Sequence, residues 1–552
     1  MDFFGQTGWR FVLLRASVVF ATTFIVFSPA IRYDILNYDD NEYVLDNVHM
    51  REGLTVENIK WAVTSCGYAA NWHPLAWISM MGDVSAVRLL RGGAQIQDAE
   101  WKDHGSRLAR VMHFHNVILH ALNAALLYLL MVMFLRKRIS DVWPFALALV
   151  WALHPLRVEV ACWIAERKEL TSVFFMLLSI MAYFGIDTTS KRNGVRYSLA
   201  LASATLAMMA KPVAVTLPAI LFVWDWAIHR RLRIWRHVPF VLLSVLTCYL
   251  TLISQTESLE SARSLSLAAR FSSIFGGPIV YLRQTFYPIG LSVVYENTIS
   301  IDWIGLVGGV LLVLALVAIV ISWLIRRRRN AVHDILVFAV AWVYIGLVPM
   351  LGIVKVGGQE HNDRYTYWIG CGVCVTLILL VDALWPKLRT VLIRATEESS
   401  DGIGELRRLV QYVLVGIIAV LVYLTWGRMS YWKNTIRLYR DAIPKCWRTE
   451  VAMALYNELE PQGAAAVREG EMWLRSCVDR HPTTLGLVNL AAVLMKKPPE
   501  PMGVGLDGDI YVEAGLLIEQ VLAAEPDNER ALKIKELIEK ARSEAKKNVQ
   551  RK

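Results

Sequence analysis

The chain has 552 residues, 55% of them hydrophobic, with a mean hydropathy of +0.40 and a formal net charge of +10. That apolar content excludes an ordinary water-soluble globule, and the Lys/Arg excess sits in short clusters beside apolar runs, which fits topology determinants rather than a nucleic-acid surface. Seven cysteines outside any His/Cys array argue against a zinc module and against a dense disulfide framework.

In chain order, apolar runs long enough for a hydrocarbon core of about 30 Å occur at 11–29, 114–135, 142–153, 170–186, 197–210, 213–228, 238–253, 304–325, 335–353, 365–384 and 410–426. An all-α polytopic membrane protein of about eleven transmembrane helices is therefore expected. The first run has no small-residue cleavage site after it and reads as a retained anchor. The stretch 271–291 is apolar but interrupted by Gly276, Gly277, Arg283 and Pro288, and reads as an interfacial or re-entrant segment that does not cross.

Basic clusters at Arg136–Arg138, Lys191/Arg192/Arg196, Arg230–Arg236, Arg326–Arg329 and Lys387–Arg408 all fall on one side if 271–291 does not cross. Positive charge stays cytoplasmic. The loop 31–110, the turn 154–169, the region 254–303, the turn 355–364 and the tail after Trp426 then lie outside. The expected domains are a membrane module over 1–427, including the first outer loop 31–110, and a soluble outer-face domain over 428–552.

The first outer loop opens with NYDDNEYV, which places Asp39 and Asp40 side by side at the outer face. Carboxylates there suit chemistry in which a lipid-linked phosphate meets a water-borne acceptor. Further along the loop, ANWHPL offers Asn71, Trp72 and His73 as polar and aromatic groups for a sugar or an acceptor. Seating the loop at the interface, like other belt aromatics, is the favoured use for Trp72. The turn WALHPLRVEVACWIAERKEL carries His154, Glu159, Glu166, Arg167 and Lys168 in one short excursion. One ionised side chain at a helix centre costs about 2.5–3.5 kcal/mol, so this density implies a water-filled cavity or a tight ion-pair network. Lys211 in MMAKPVAVTLP and the string KVGGQEHNDRYTYW, with His361 and Arg364, add outer-face donors for phosphate oxygens. His113, His115 and His120 lack a neighbouring carboxylate and read as packing or capping residues rather than as a metal triad.

After Trp426 the composition turns charged and helical in period. Ala514, Leu522, Pro526 and Ala531 stand at the spacings of a degenerate tetratricopeptide hairpin, with 496–509 as an interrupting loop.

NYDDNEYV, GLTVENIKWAVTS, ANWHPLAWISM, HFHNVILHALNAALL, WALHPLRVEVACWIAERKEL, MMAKPVAVTLPAILFVWDW and NDRYTYW, in that order, resemble the transmembrane and tetratricopeptide-repeat O-mannosyltransferase group of the GT-C glycosyltransferase superfamily. The likeness covers roughly 31–432; the tail is a weaker match, and 88–102 looks like an insertion. The resemblance implies a GT-C-like bundle with a small TPR-like C-terminal domain. It implies inverting transfer of a mannose-like hexose from a polyprenyl-phosphate sugar to a hydroxyl of a protein or glycan acceptor. Asp39 would be the general base with Asp40 beside it and Tyr43 as packing. His154, Glu159, Glu166, Arg167, Lys168, Lys211, His361 and Arg364 would bind donor phosphate or substrate. No cofactor and no divalent metal are expected, since the phosphate leaves as a stable anion; the expected partners are donor, acceptor and membrane lipids, with no nucleic acid. A glycan or lipid acceptor, a non-catalytic scaffold and a transporter are the competing readings. The absence of an Asn-X-Ser/Thr sequon points to a bacterial inner membrane with a periplasmic site rather than to the endoplasmic reticulum.

Overall fold

The computed structural model describes residues 8–101, 103, 105–134, 142–186, 192–229, 233–255, 267–295, 303–325, 331–350, 361–396, 402–496 and 507–550. Among them there are helices and no strands. The chain divides into two compact units, Met1–Val293 with Thr298–Asn434, and Val294–Asn297 with Thr435–Lys552.

The first unit contains α1 (Trp9–Phe27), α2 (Val56–Thr64), α3 (Pro74–Leu89), α4 (Arg107–Phe134), α5 (Val142–Ala152), α6 (Val158–Cys162), α7 (Arg167–Phe184), α8 (Asn193–Ala210), α9 (Leu217–Val223), α10 (Ile234–Ser254), α11 (Leu267–Phe286), α12 (Trp303–Ile325), α13 (Ala331–Leu347), α14 (Thr366–Thr396) and α15 (Gly402–Met429). Seven helices are long and apolar enough to cross a membrane, and eight if the bent pair Val142–Ala152 and Pro155–Cys162 is one span. The bend of 60° falls where His154 precedes Pro155 and takes an extended conformation, as a residue before proline must.

Three further expected spans fold as helices of shorter apolar extent. Arg167, Lys168 and Glu169 open α7, the serines and small residues of α8 dilute it, and Pro212–Ile228 is a short apolar segment. Those small residues serve packing instead. Ser172 and Ser179 on α7 donate to the Ala207 and Ala200 carbonyls of α8 at 3.0 and 2.7 Å, so the two helices lie close together.

The stretch expected to be broken at Gly276, Gly277 and Arg283 is one helix, α11, ending at Phe286 ahead of Pro288. The glycines are an interface rather than a break. Gly276 of α11 faces Gly305 of α12, and Gly309 of α12 abuts the Phe275 backbone so closely that a Cβ at Gly309 would meet α11.

The second unit holds α16 (Thr435–Cys446), α17 (Thr449–Leu459), α18 (Ala464–Arg480), α19 (Thr484–Met495), α20 (Asp507–Ala524) and α21 (Glu529–Gln550). Gly470 lets α18 approach α17, since a Cβ there would stand 2.9 Å from Tyr456 Cα. Thr483 and Asn528 cap the following helices with their side-chain oxygens. Ala514 and Ala531 are buried in the last hairpin; the expected loop at 496–509 lies mostly outside the described residues, and α20 already begins at Asp507.

Candidate functional site

The loop 31–110 is pinned by its buried acid. Asp39 takes a left-handed backbone, φ +62°, a conformation that Asp tolerates better than most residues. It is exposed, and its carboxylate makes no hydrogen bond or ion pair among the described residues. Asp40 is fully buried. Its Oδ2 accepts from Leu36 N at 3.1 Å and its Oδ1 from Ala165 N at 2.7 Å. Burial pushes the Asp40 carboxyl up to about 8, opposed by the two N–H groups and by Lys168. The two neighbours therefore divide the work: Asp40 ties the loop to the turn 163–166, and Asp39 faces solvent.

That turn leads into the cations. Glu166 lies 3.5 Å from Lys168 Nζ, 3.0 Å from Lys211 Nζ and 3.6 Å from Arg364 Nε. Lys211 also pairs with Glu169 at 2.9 Å, and Arg364 with Glu159 at 2.6 Å. Burial disfavours the charge on Glu166, yet Lys211, Lys168 and Arg364 outweigh it and hold the carboxyl down at about 2. For Lys211, burial is more than offset by Glu166 and Glu169, so the ammonium persists above its ordinary range. The side chains of Lys168, Lys211 and Arg364 keep 10%, 13% and 16% exposure, so the cluster is largely buried.

Trp163 is the platform beneath two of these cations. Lys168 Nζ lies 5.5 Å and Arg364 Cζ 5.4 Å from its ring centroid. The indole donates to Tyr38 O at 2.9 Å, its carbonyl accepts from Asn116 Nδ2 at 2.8 Å, and Tyr38 packs on it at 5.0 Å. Lys168 also lies 4.7 Å from the Tyr43 ring. Tyr43 stands in the π-helical turn Asn41–Leu45 and donates its amide to Asp39 O at 2.8 Å. Lys168 makes one ion pair and, among the described residues, no hydrogen bond, which leaves its ammonium donors for an incoming anion.

Asn71 and His73 join the same loop. Tyr43 OH lies 3.3 Å from His73 Nδ1 and accepts from Asn71 Nδ2 at 3.2 Å. Burial, with Lys168 and Lys211, holds His73 well below its ordinary range, so the imidazole is neutral at pH 7. Trp72 points elsewhere, donating to Val63 O at 3.0 Å at the end of α2.

Two residues of the expected phosphate set stand apart from the cluster. Arg167 is fully buried and spends its donors on Asn116, Ser79 (3.0 Å), Met112 O (2.7 Å) and Asp83 (2.9 Å); it locks α7 to α3 and α4. His154 caps Leu156 N at 3.2 Å and meets Thr285 O at 3.0 Å. His361, half-buried, lies three residues before Arg364, and burial together with Arg283 holds it down at about 4. Lys355 and Glu360 of the same string lie outside the described residues. Glu169 joins the site from the expected charged turn, while Trp163, Tyr38 and Asn116 belong to it although they were not expected there. The adjacency of Trp163 to AERKE was the one usable signal. Among the described residues no three His, Cys, Asp or Glu side chains are grouped so as to hold a metal ion.

Comparison with protein-family models, with curated proteins and with solved structures yields no match to this chain.

Proposed function

We propose that the protein is an inverting glycosyltransferase that moves a mannose-like hexose from a polyprenyl-phosphate donor to a hydroxyl acceptor, in the first instance on protein, at the non-cytoplasmic face. The observation that carries this reading is the exposed Asp39 carboxylate, on a loop fastened by buried Asp40 to the turn that bears Lys168. Asp39 takes the proton of the acceptor hydroxyl, and the acceptor oxygen bonds to the anomeric carbon as that carbon's bond to the phosphate oxygen breaks. The phosphate leaves as an anion against Lys168, Lys211 and Arg364, with Glu159 and Glu166 fixing the latter two. Neutral His73 and Asn71 line the acceptor side.

In the same reading the membrane module is a GT-C-like bundle of about eleven spans, with α7, α8 and the 212–228 segment crossing beside the longer helices. The tail is a shortened TPR-like domain, and the site faces the periplasm of a bacterial inner membrane. A glycan or lipid acceptor uses the same chemistry.

The test is transfer from radiolabelled polyprenyl-phosphate sugars to an outer-compartment protein extract, run beside Asp39→Asn. Removal of a general base slows transfer by about 10²–10⁴-fold while donor binding persists. Equal transfer by both forms, or no donor turnover by the native protein, rejects the reading.

A further inference from the structure

An apolar groove of about 650 Å³ runs along the outside of α10 against the 212–228 segment. Its walls include Phe222, Val241, Val245 and Leu252, and Val245 is 61% exposed, so the groove opens sideways toward the surrounding bilayer. Ser244 is a polar group on its floor, and its hydroxyl is already given to Val215 O at 3.3 Å. Along most of its length the groove thus asks for hydrocarbon alone.

One end differs. His237 lines the groove, is 4% exposed and turns Nε2 toward Asp225 Oδ2 at 3.2 Å and the Tyr183 hydroxyl at 3.3 Å. Tyr183 gives its own proton to Asp225 at 2.6 Å, so the imidazole must carry a proton on Nε2. His237 Nδ1 is buried and has no hydrogen-bond partner among the described residues. A buried polar atom without a partner costs free energy that a bound polar group would recover. Next to it in the chain are Arg233 and Arg236, with Arg230 and Arg231 just before, and Trp235, 85% exposed, marks an interfacial level. From His237 to Leu252 the helix rises about 22 Å, most of the thickness of a hydrocarbon core.

We propose that this groove is a binding site for an anionic phospholipid of the cytoplasmic leaflet, with one acyl chain laid along α10, a headgroup hydroxyl donating to His237 Nδ1 and the phosphate against Arg233 and Arg236. The polarity of the groove selects this occupant. A lipid whose phosphate sat at the outer face, by Lys211, would bring the apolar end of its tail to His237 and leave Nδ1 unsatisfied. A lipid headed at the cytoplasmic side meets His237 with its polar end and the arginines with its charge. This assignment depends on the charge-determined orientation and not on the transferase reading.

The test is native mass spectrometry of the full chain in mild detergent, titrated with phosphatidylglycerol, phosphatidylcholine or a polyprenyl phosphate, for the wild type, Val245→Trp and His237→Ala. The wild type is expected to hold one phosphatidylglycerol and to prefer it to phosphatidylcholine; Val245→Trp fills the groove from an exposed position and abolishes that adduct. His237→Ala is expected to weaken it by up to about tenfold, the factor that loss of one hydrogen bond to a buried acceptor implies. An adduct equal in the wild type and Val245→Trp, no preference between the two phospholipids, or displacement of phosphatidylglycerol by polyprenyl phosphate at equal concentration would each overturn the assignment. Should His237→Ala fail to fold, Val245→Trp and the lipid preference decide alone.

Discussion

Asp39 and Asp40 carry the same functional group one residue apart, yet their surroundings give them opposite duties. Asp40 accepts two backbone N–H groups in a buried place, so Asp40→Asn turns an amide N–H₂ against one of those donors and is expected to cost about 1–3 kcal/mol of stability. Chemical unfolding in detergent measures this, and Asp39→Asn, at an exposed position, should leave the midpoint unchanged. The pH dependence follows from the direction of each shift. The folded value of Asp40, about 8, lies above its ordinary 3.8, so its stabilisation is complete below pH 3.8 and is lost as pH rises through 8. The difference between wild type and Asp40→Asn is therefore expected to shrink from pH 5 to pH 8. Glu166 runs the other way: held at about 2 against an ordinary 4.5, it stabilises fully above pH 4.5 and loses that contribution as pH falls through 2. A Glu166→Gln variant should accordingly lose the acid-side part of the stability profile. The acid pair itself was legible as a motif. Which member faces water was not, because Asp40 is buried by Ala165, a residue far along the chain.

At the scale of elements, the site is built where helices start and stop. His73 precedes Pro74 and Lys211 precedes Pro212, and both residues leave the helical conformation. Pro74 opens α3 directly after His73, and α8 ends at Ala210 directly before Lys211, so each side chain sits at a helix boundary, outside the regular turns. These breaks could be read from the X–Pro pairs in advance. The glycines of α11 and α12 could not, because the same residues serve a break or a close contact, and only the partner helix decides. Gly309 faces the Phe275 backbone, whereas Gly416 on α15 has nothing within 4 Å of a Cβ. Gly309→Ala is expected to destabilise by about 1–3 kcal/mol and Gly416→Ala to be neutral within about 0.5 kcal/mol. Thermal unfolding of the two variants side by side checks it.

At the scale of the whole molecule, the proposed orientation, argued from the basic clusters, makes the acidic loop external. Cys66 is exposed on that loop, so a membrane-impermeant maleimide added to intact cells should label it. A cysteine placed at Arg233 in a Cys66→Ser background should react only after the membrane is opened. Labelling in the reverse pattern would invert the orientation and remove both the outer-face site and the cytoplasmic-leaflet lipid. Helical class, membrane residence and the location of the charged strings were all determined by the sequence itself, because hydropathy, proline breaks and Lys/Arg placement act over a few neighbouring residues. The tertiary structure alone decided the sorting of the charges. Arg167 and Lys168 are adjacent, but Arg167 is drawn into Asp83 and Asn116 while Lys168 is held between Tyr43 and Trp163. Successive residues on a helix point about 100° apart, and what each then meets is set by segments that the chain brings in from elsewhere.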